Sequence, residues 1–134
     1  MLELVLDADP SALAVMADAV EAFAAGAGVP PERAMQLVIA LDEILTNIVT
    51  HGRLAPGDGI ALRVEVAAGV LSAVVDDPGP PFDPLRDAPP PVLGGSVAER
   101  PIGGLGLHIA MTLARRIDYE RRDGRNRLSL ELPP

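Results

Sequence analysis

Cysteine and lysine are both absent from this 134-residue chain, and all eleven of its basic residues are arginine. Without cysteine there is no disulfide scaffold, no thiolate nucleophile, no Cys-ligated zinc and no iron–sulfur cluster. Without lysine there is no Walker A loop, no kinase of the eukaryotic type with its strand lysine, and no Schiff-base chemistry. Histidine is nearly missing too, with His51 and His108 alone, and Ser96 and Ser129 sit in no nucleophile-elbow context. A metallohydrolase or a Ser-His-Asp hydrolase is therefore disfavoured. The net charge of −8 denies the chain the basic footprint that nucleic-acid binding needs. Only the short run Arg115-Arg116 with Arg121-Arg122 is locally basic. No apolar run approaches the roughly 20 residues of a membrane span, and Met1-Leu2-Glu3-Leu4 does not begin a signal peptide. The expectation is a soluble cytoplasmic protein with no membrane contact and no direct nucleic-acid partner.

What is present fits one globular domain over residues 1–134, at 49% hydrophobic and 22% charged residues. Residues 2–6 partly alternate and predict a short strand. Asp9-Pro10 then supplies a helix cap followed by proline. Leu13, Met16, Val20 and Phe23 recur at helical spacing as far as Gly26 and Gly28. A second helix opens at Pro30-Pro31-Glu32 and runs to about His51-Gly52. Its apolar stripe is Ala34, Leu37, Val38, Leu41, Leu45, Ile48 and Val49, which puts Gln36, Glu43, Asn47, Thr50 and His51 on the opposite, polar side. Strands follow over 60–66 and 70–76, joined at Ala67-Ala68-Gly69, and the second of them is apolar enough to be central.

From residue 78 the chain changes character. Eight of its fourteen prolines fall between Pro78 and Pro101, with Gly94-Gly95 among them, so neither helix nor central strand is expected there. A loop this long inside a compact domain is usually functional, often a lid, here spanning about 78–103. It ends at Gly103-Gly104-Leu105-Gly106, ahead of a helical segment of about 107–116. Strands over 117–122 and 127–132 close the chain through Asp123-Gly124, a strong hairpin signal. The order β α α ββ loop α ββ predicts an α/β two-layer sandwich of the α+β kind, with a mixed, largely antiparallel sheet and three helices on one face.

Three stretches carry chemistry. Glu43 and Asn47 stand one helical turn apart, their Cβ atoms about 5–6 Å from each other. An amide oxygen suits Mg²⁺, which keeps waters and phosphate oxygens as its other ligands, while the carboxylate can accept a proton from an attacking hydroxyl. Asp77 at a strand end is an acceptor suited to an exocyclic amine, and Gly79 lets backbone approach a flat ring. Gly103-Gly104-Leu105-Gly106-Leu107 opens a helix with amide groups unobstructed by side chains, an arrangement that binds anions. Position 109 is isoleucine, so this is not the dinucleotide-binding fingerprint.

Taken in order, these stretches resemble the Bergerat-fold ATP-binding superfamily of histidine kinases, Hsp90, gyrase-type ATPases and MutL. More closely, Leu41-Asp42-Glu43-Ile44-Leu45-Thr46-Asn47 with His51-Gly52 is similar to the first motif of the bacterial anti-sigma-factor serine/threonine kinases. Asp77-Pro78-Gly79-Pro80-Pro81-Phe82-Asp83-Pro84 resembles their second motif and Gly103–Leu107 their third. The resemblance covers essentially the whole chain. It implies Glu43 as catalytic base and Asn47 as magnesium ligand. It further implies that Asp77 and Gly79 meet adenine and that Gly103, Gly104, Leu105, Gly106 and Leu107 meet the phosphates. A lid arginine, Arg86 or Arg100, would reach the γ-phosphate, with Arg100 the nearer to the glycine motif. Where many Bergerat-fold proteins place a threonine near adenine, this sequence has Asn126. His51 and His108 read as structural.

The implied activity is transfer of the γ-phosphoryl of Mg-ATP to a serine or threonine of an anti-anti-sigma partner with a STAS-type domain. Control of a sigma factor and a homodimeric state are part of the same implication. A different class remains open: a nucleotide-gated binding module that sequesters a regulator without significant phosphoryl transfer.

Overall fold

A computed structural model describes residues 1–87 and 111–134. Within them the elements are β1 (Leu2–Asp7), α1 (Ser11–Gly26), α2 (Pro31–His51), β2 (Gly59–Ala67), β3 (Val70–Asp77), β4 (Arg116–Arg122) and β5 (Arg125–Glu131). One five-stranded sheet takes the order β1-β2-β3-β5-β4, and each of these neighbouring pairs is antiparallel. Of the antiparallel and mixed arrangements expected, the described sheet is antiparallel. β3 is central, as its uniform apolarity implies.

Alternation along the strands sends one set of side chains toward the helices and the other to the open face. Ile60, Leu62, Val64, Leu71, Ala73, Val75, Leu128 and Leu130 form the helix-facing set. They share one core with Met16 and Val20 of α1 and with Leu37, Leu41, Ile44, Leu45 and Ile48 of α2. Each such side chain contributes on the order of 1.5–3 kcal/mol by leaving water, so α2 alone supplies a large part of what holds the domain together.

Turn chemistry fixes the register. Ala68 and Gly69 both have positive φ, 50° and 78°, as do Asp123 and Gly124, at 52° and 74°. Two successive left-handed residues make the turn whose twist matches a two-residue hairpin. Ala67 therefore faces Val70, and Arg122 faces Arg125. This tight turn is why β5 begins at Arg125, two residues earlier than expected.

Just before Pro10, the N-cap of α1, the Asp9 carboxylate accepts hydrogen bonds from the backbone N–H of Ser11, at 2.8 Å, and from the Ser11 hydroxyl. These bonds hold the Asp9 carboxyl below its usual range. One expectation needs correction. The helix expected over about 107–116 has ended by residue 113, because Arg116 already pairs with Glu131 and the Arg115 N–H donates to the Glu131 carbonyl at 2.8 Å. The described start of the proline-rich stretch forms neither helix nor strand, and it is anchored: Phe82 and Pro84 are buried, and Phe82 belongs to the core.

Candidate functional site

The polar residues of α2 face a flank that the chain covers differently from the simple helical wheel. Asn47 is 9% exposed and Ile44 is fully buried, so the buried arc of α2 is wider than the seven-residue stripe. Asn47, on the polar side of the helical wheel, is buried. Its Nδ2 donates to the carbonyl of Pro84 at 3.0 Å, joining the helix to the start of the proline-rich segment. Glu43, one turn earlier, is half-buried, while Thr50 and His51 near the helix end are exposed.

The next chain segment approaches the same helix end. Asp77 closes β3 and is 3% exposed. Its Oδ1 accepts from the Gly79 N–H at 2.9 Å and from Asn126 Nδ2 at 3.0 Å. Asp76 points to the opposite face, as strand alternation requires, and there pairs with Arg125 and, at 3.3 Å, Arg127. The two adjacent aspartates are thus separated into a buried carboxylate on the helix side and an ion-paired one on the open face.

Position 79 is tight for any side chain. A Cβ there would lie 2.9 Å from Leu54 Cδ2, 3.0 Å from Asp77 Oδ1 and 3.1 Å from the Gly52 carbonyl oxygen. The Gly52 carbonyl, at the C-cap of α2, shows how closely the Asp77–Gly79 turn seats against the end of that helix. Beside this contact opens a cleft of about 530 Å³, walled by Thr50, His51 and Arg53 on one side and by Pro81, Phe82 and Asp87 on the other. Its size is in the range of small-molecule sites.

Beneath the turn lies a hydrogen-bonded network that the sequence reading did not contain. Asn126 sits opposite Asp77 in the β3–β5 register and is 3% exposed. Its Nδ2 donates to Asp77 Oδ1 and, at 2.8 Å, to the Pro80 carbonyl. Its Oδ1 accepts from the Phe82 N–H at 3.0 Å, the Tyr119 hydroxyl at 2.5 Å and Arg121 Nη1 at 3.2 Å. Arg121 Nη1 also donates to the Gly79 carbonyl at 2.6 Å. The phenol of Tyr119 is pushed up by burial, against the lowering effects of the Phe82 backbone and the Arg121 charge.

Of the residues expected from sequence, the structure therefore brings Asn47, Asp77 and Gly79 to one end of α2, with Glu43 one turn along the same helix. Arg86 is exposed, at the far end of the segment that Asn47 anchors. Arg100, Gly103, Gly104, Leu105, Gly106, Leu107 and His108 lie outside the described residues. His51 is exposed on the cleft rim rather than packed in the core. The signal for it was available: Thr50 and His51 stand three and four residues after Asn47, on the same helix face. Tyr119 and Arg121 had no such signal, since their roles depend on a turn 42 residues distant from Arg121. Among the described residues no group of three or more His, Asp and Glu side chains is placed to hold a metal ion. A cation here would need ligands from a bound molecule and water.

Comparison with known proteins gives the chain's relationships. The histidine kinase-like ATPase domain family matches residues 6–132. The serine/threonine-protein kinase BtrW of Bordetella bronchiseptica is 33% identical over 96 residues, which is 70% of this chain and 66% of that protein. The serine-protein kinase RsbW of Bacillus pumilus is 27% identical over 130 residues, covering 92% of this chain and 80% of the relative. Among solved structures, the RsbU and RsbW domains of a Mycobacterium tuberculosis protein align with a TM-score of 0.69 at 20% identity, covering 98% of this chain and 31% of that one. The Acinetobacter baumannii histidine kinase AdeS aligns with a TM-score of 0.51 at 16% identity, covering 98% and 67%. These structural likenesses establish the fold.

Proposed function

Because the chain belongs to the histidine kinase-like ATPase domain family, we propose that it is an ATP-dependent serine/threonine protein kinase of the anti-sigma type. The observation that carries this reading is the seating of the Asp77–Gly79 turn against the end of the helix that bears Glu43 and Asn47. Adenine enters beside this turn, its exocyclic amine donating to Asp77. The cleft rimmed by Thr50, His51 and Phe82 lies where the rest of the nucleotide has to pass on its way along α2. Gly103, Gly104, Leu105, Gly106 and Leu107 are proposed to cradle the phosphates, with Arg100 beside them.

Asn47 suits a magnesium ion because its amide nitrogen is engaged by Pro84 and its oxygen is the remaining hard ligand. When bound, the ion neutralises phosphate charge. In the transfer step the acceptor hydroxyl gives its proton to the Glu43 carboxylate, and its oxygen forms a bond to the γ-phosphorus. The bond from that phosphorus to the bridging oxygen breaks, leaving ADP and a phosphorylated side chain. Such reactions depend mainly on positioning and charge stabilisation, which is the work the turn, the helix and the glycine motif divide.

The names of the BtrW and RsbW relatives support a protein acceptor. The acceptor proposed is a serine or threonine on a STAS-type anti-anti-sigma protein, with a sigma factor as the second partner. A cytoplasmic homodimer is proposed with it. No helix among the described residues is long and apolar enough to cross a membrane.

The test is Glu43→Gln. ATP affinity should stay within about twofold while phosphoryl transfer falls by about 10²-fold or more. Undiminished transfer would remove Glu43 from the mechanism. ATP-dependent partner binding with no transfer by the unaltered protein would favour the nucleotide-gated binding module instead.

A further inference from the structure

Asn126 faces Asp77 across the β3–β5 pairing, and its hydrogen-bonding capacity is already filled by the protein. A carboxamide offers two N–H donors and two acceptor lone pairs. Here the donors go to Asp77 Oδ1 at 3.0 Å and Pro80 O at 2.8 Å, with Gly79 O at 3.5 Å. The oxygen already meets three donors, from Phe82, Tyr119 and Arg121. With a 3% exposed side chain, nothing is left over for a ligand.

The amide cannot turn over in place. Rotation would set its N–H groups against the Phe82 and Arg121 donors, which cannot accept, and its oxygen against Asp77 and two carbonyls. Its orientation is therefore determined from both ends, and it passes that determination to Asp77. Both hydrogen bonds described for the Asp77 carboxylate fall on Oδ1, one from Gly79 and one from Asn126. The carboxylate is held in one rotation, with Oδ2 left as the acceptor for a ligand donor.

Resting on the nucleotide reading above, we infer that Asn126 is a specificity-determining positioning residue, which does not touch the base but locks Asp77 so that a single oxygen meets the purine 6-amino group. Tyr119 and Arg121 are the outer anchors of this lock, and Arg121 also holds the Gly79 carbonyl. A site built to pair with one donor discriminates strongly against an analogue that lacks it, provided the acceptor does not relax. Asn126 is what prevents the relaxation.

The experiment compares ATP with purine riboside triphosphate, which lacks the 6-amino group, by calorimetric titration of the unaltered chain, Asn126→Ser and Tyr119→Phe. The unaltered protein should prefer ATP by tenfold or more. In Asn126→Ser the ATP affinity should fall about tenfold while the analogue's affinity stays within twofold, so that the preference collapses. Tyr119→Phe removes one hydroxyl from a partly exposed position and should reduce the preference severalfold in the same direction, which keeps the test open if Asn126→Ser does not fold. Equal loss of both ligands would mean a merely structural role and overturn the inference, as would an unaltered preference in both variants. If the unaltered protein binds ATP but does not prefer it, Asp77 does not read the amine, and the underlying adenine assignment fails along with the inference.

Discussion

The Nδ2 of Asn47 and the carbonyl of Pro84, 37 residues apart, are joined by a buried 3.0 Å hydrogen bond. This bond ties the second helix to the first turn of the proline-rich segment and fixes which end of the carboxamide is presented to a ligand. Asn47→Asp would replace the donor by a second acceptor and set two oxygens against each other. The expected cost is about 1–3 kcal/mol, the range for a buried polar group left without its partner. Urea denaturation measures it, and an unchanged midpoint would mean that the tether does not hold the segment.

Gly79→Ala tests the seat of the Asp77 turn. The added carbon has neighbours at 2.9, 3.0 and 3.1 Å, of which the Gly52 carbonyl is backbone and cannot swing aside. A loss of about 1–3 kcal/mol in stability is expected from such overpacking. Nucleotide affinity should fall more steeply than stability does, because the displaced group is Asp77, the proposed adenine acceptor. Wild-type affinity in this variant would show that the turn lies off the site.

Ala68 has a φ of 50°, a conformation in which its Cβ is strained, directly before Gly69 in the β2–β3 hairpin. Ala68→Asn places there the residue this turn type prefers. Stability should rise by roughly 0.5–1 kcal/mol with no change in nucleotide binding. A decrease in the thermal midpoint would contradict the assigned turn.

Tyr119 is the only tyrosine, and the chain has neither lysine nor cysteine, so its phenol is isolated in the alkaline range. Burial raises it above the ordinary value of 10.0. The unfolded chain therefore releases this proton first as pH rises. The stability it contributes is complete below about pH 10 and is lost as pH climbs through the folded value. Tyr119→Phe should abolish that slope, and phenolate absorbance should place the folded titration above that of the denatured protein. Identical alkaline slopes in the two proteins would refute the assignment.

Much of the fold was readable because its signals are local. The apolar spacing of α2, the alternation Ile60-Leu62-Val64 and the Asp123-Gly124 turn each declare their element within a few residues. Asp77-Pro78-Gly79 alone reads as a common turn, and it points to a site only when taken in order with Glu43, Asn47 and the glycine motif. The burial of Asn47 is not legible from helical periodicity, which counts only the helix, whereas the buried arc of α2 is set by Phe82 and Pro84 arriving from elsewhere in the chain. The Asn126 network was invisible for the same reason: Phe82, Tyr119 and Arg121 meet it only after β4 and β5 have taken their register beside β3. Arg116 was given to a helix because the strand pairing that claims it, with Glu131, lies fifteen residues on.

The central claim is that an adenine nucleotide and magnesium come together at the end of α2. Calorimetric titration of the chain with ATP and with GTP, each with and without magnesium, tests it most directly. The account predicts binding of ATP that magnesium strengthens and that GTP does not match. Equal affinity for the two nucleotides, or ATP binding indifferent to the metal in both the unaltered protein and Asn47→Ala, would contradict it.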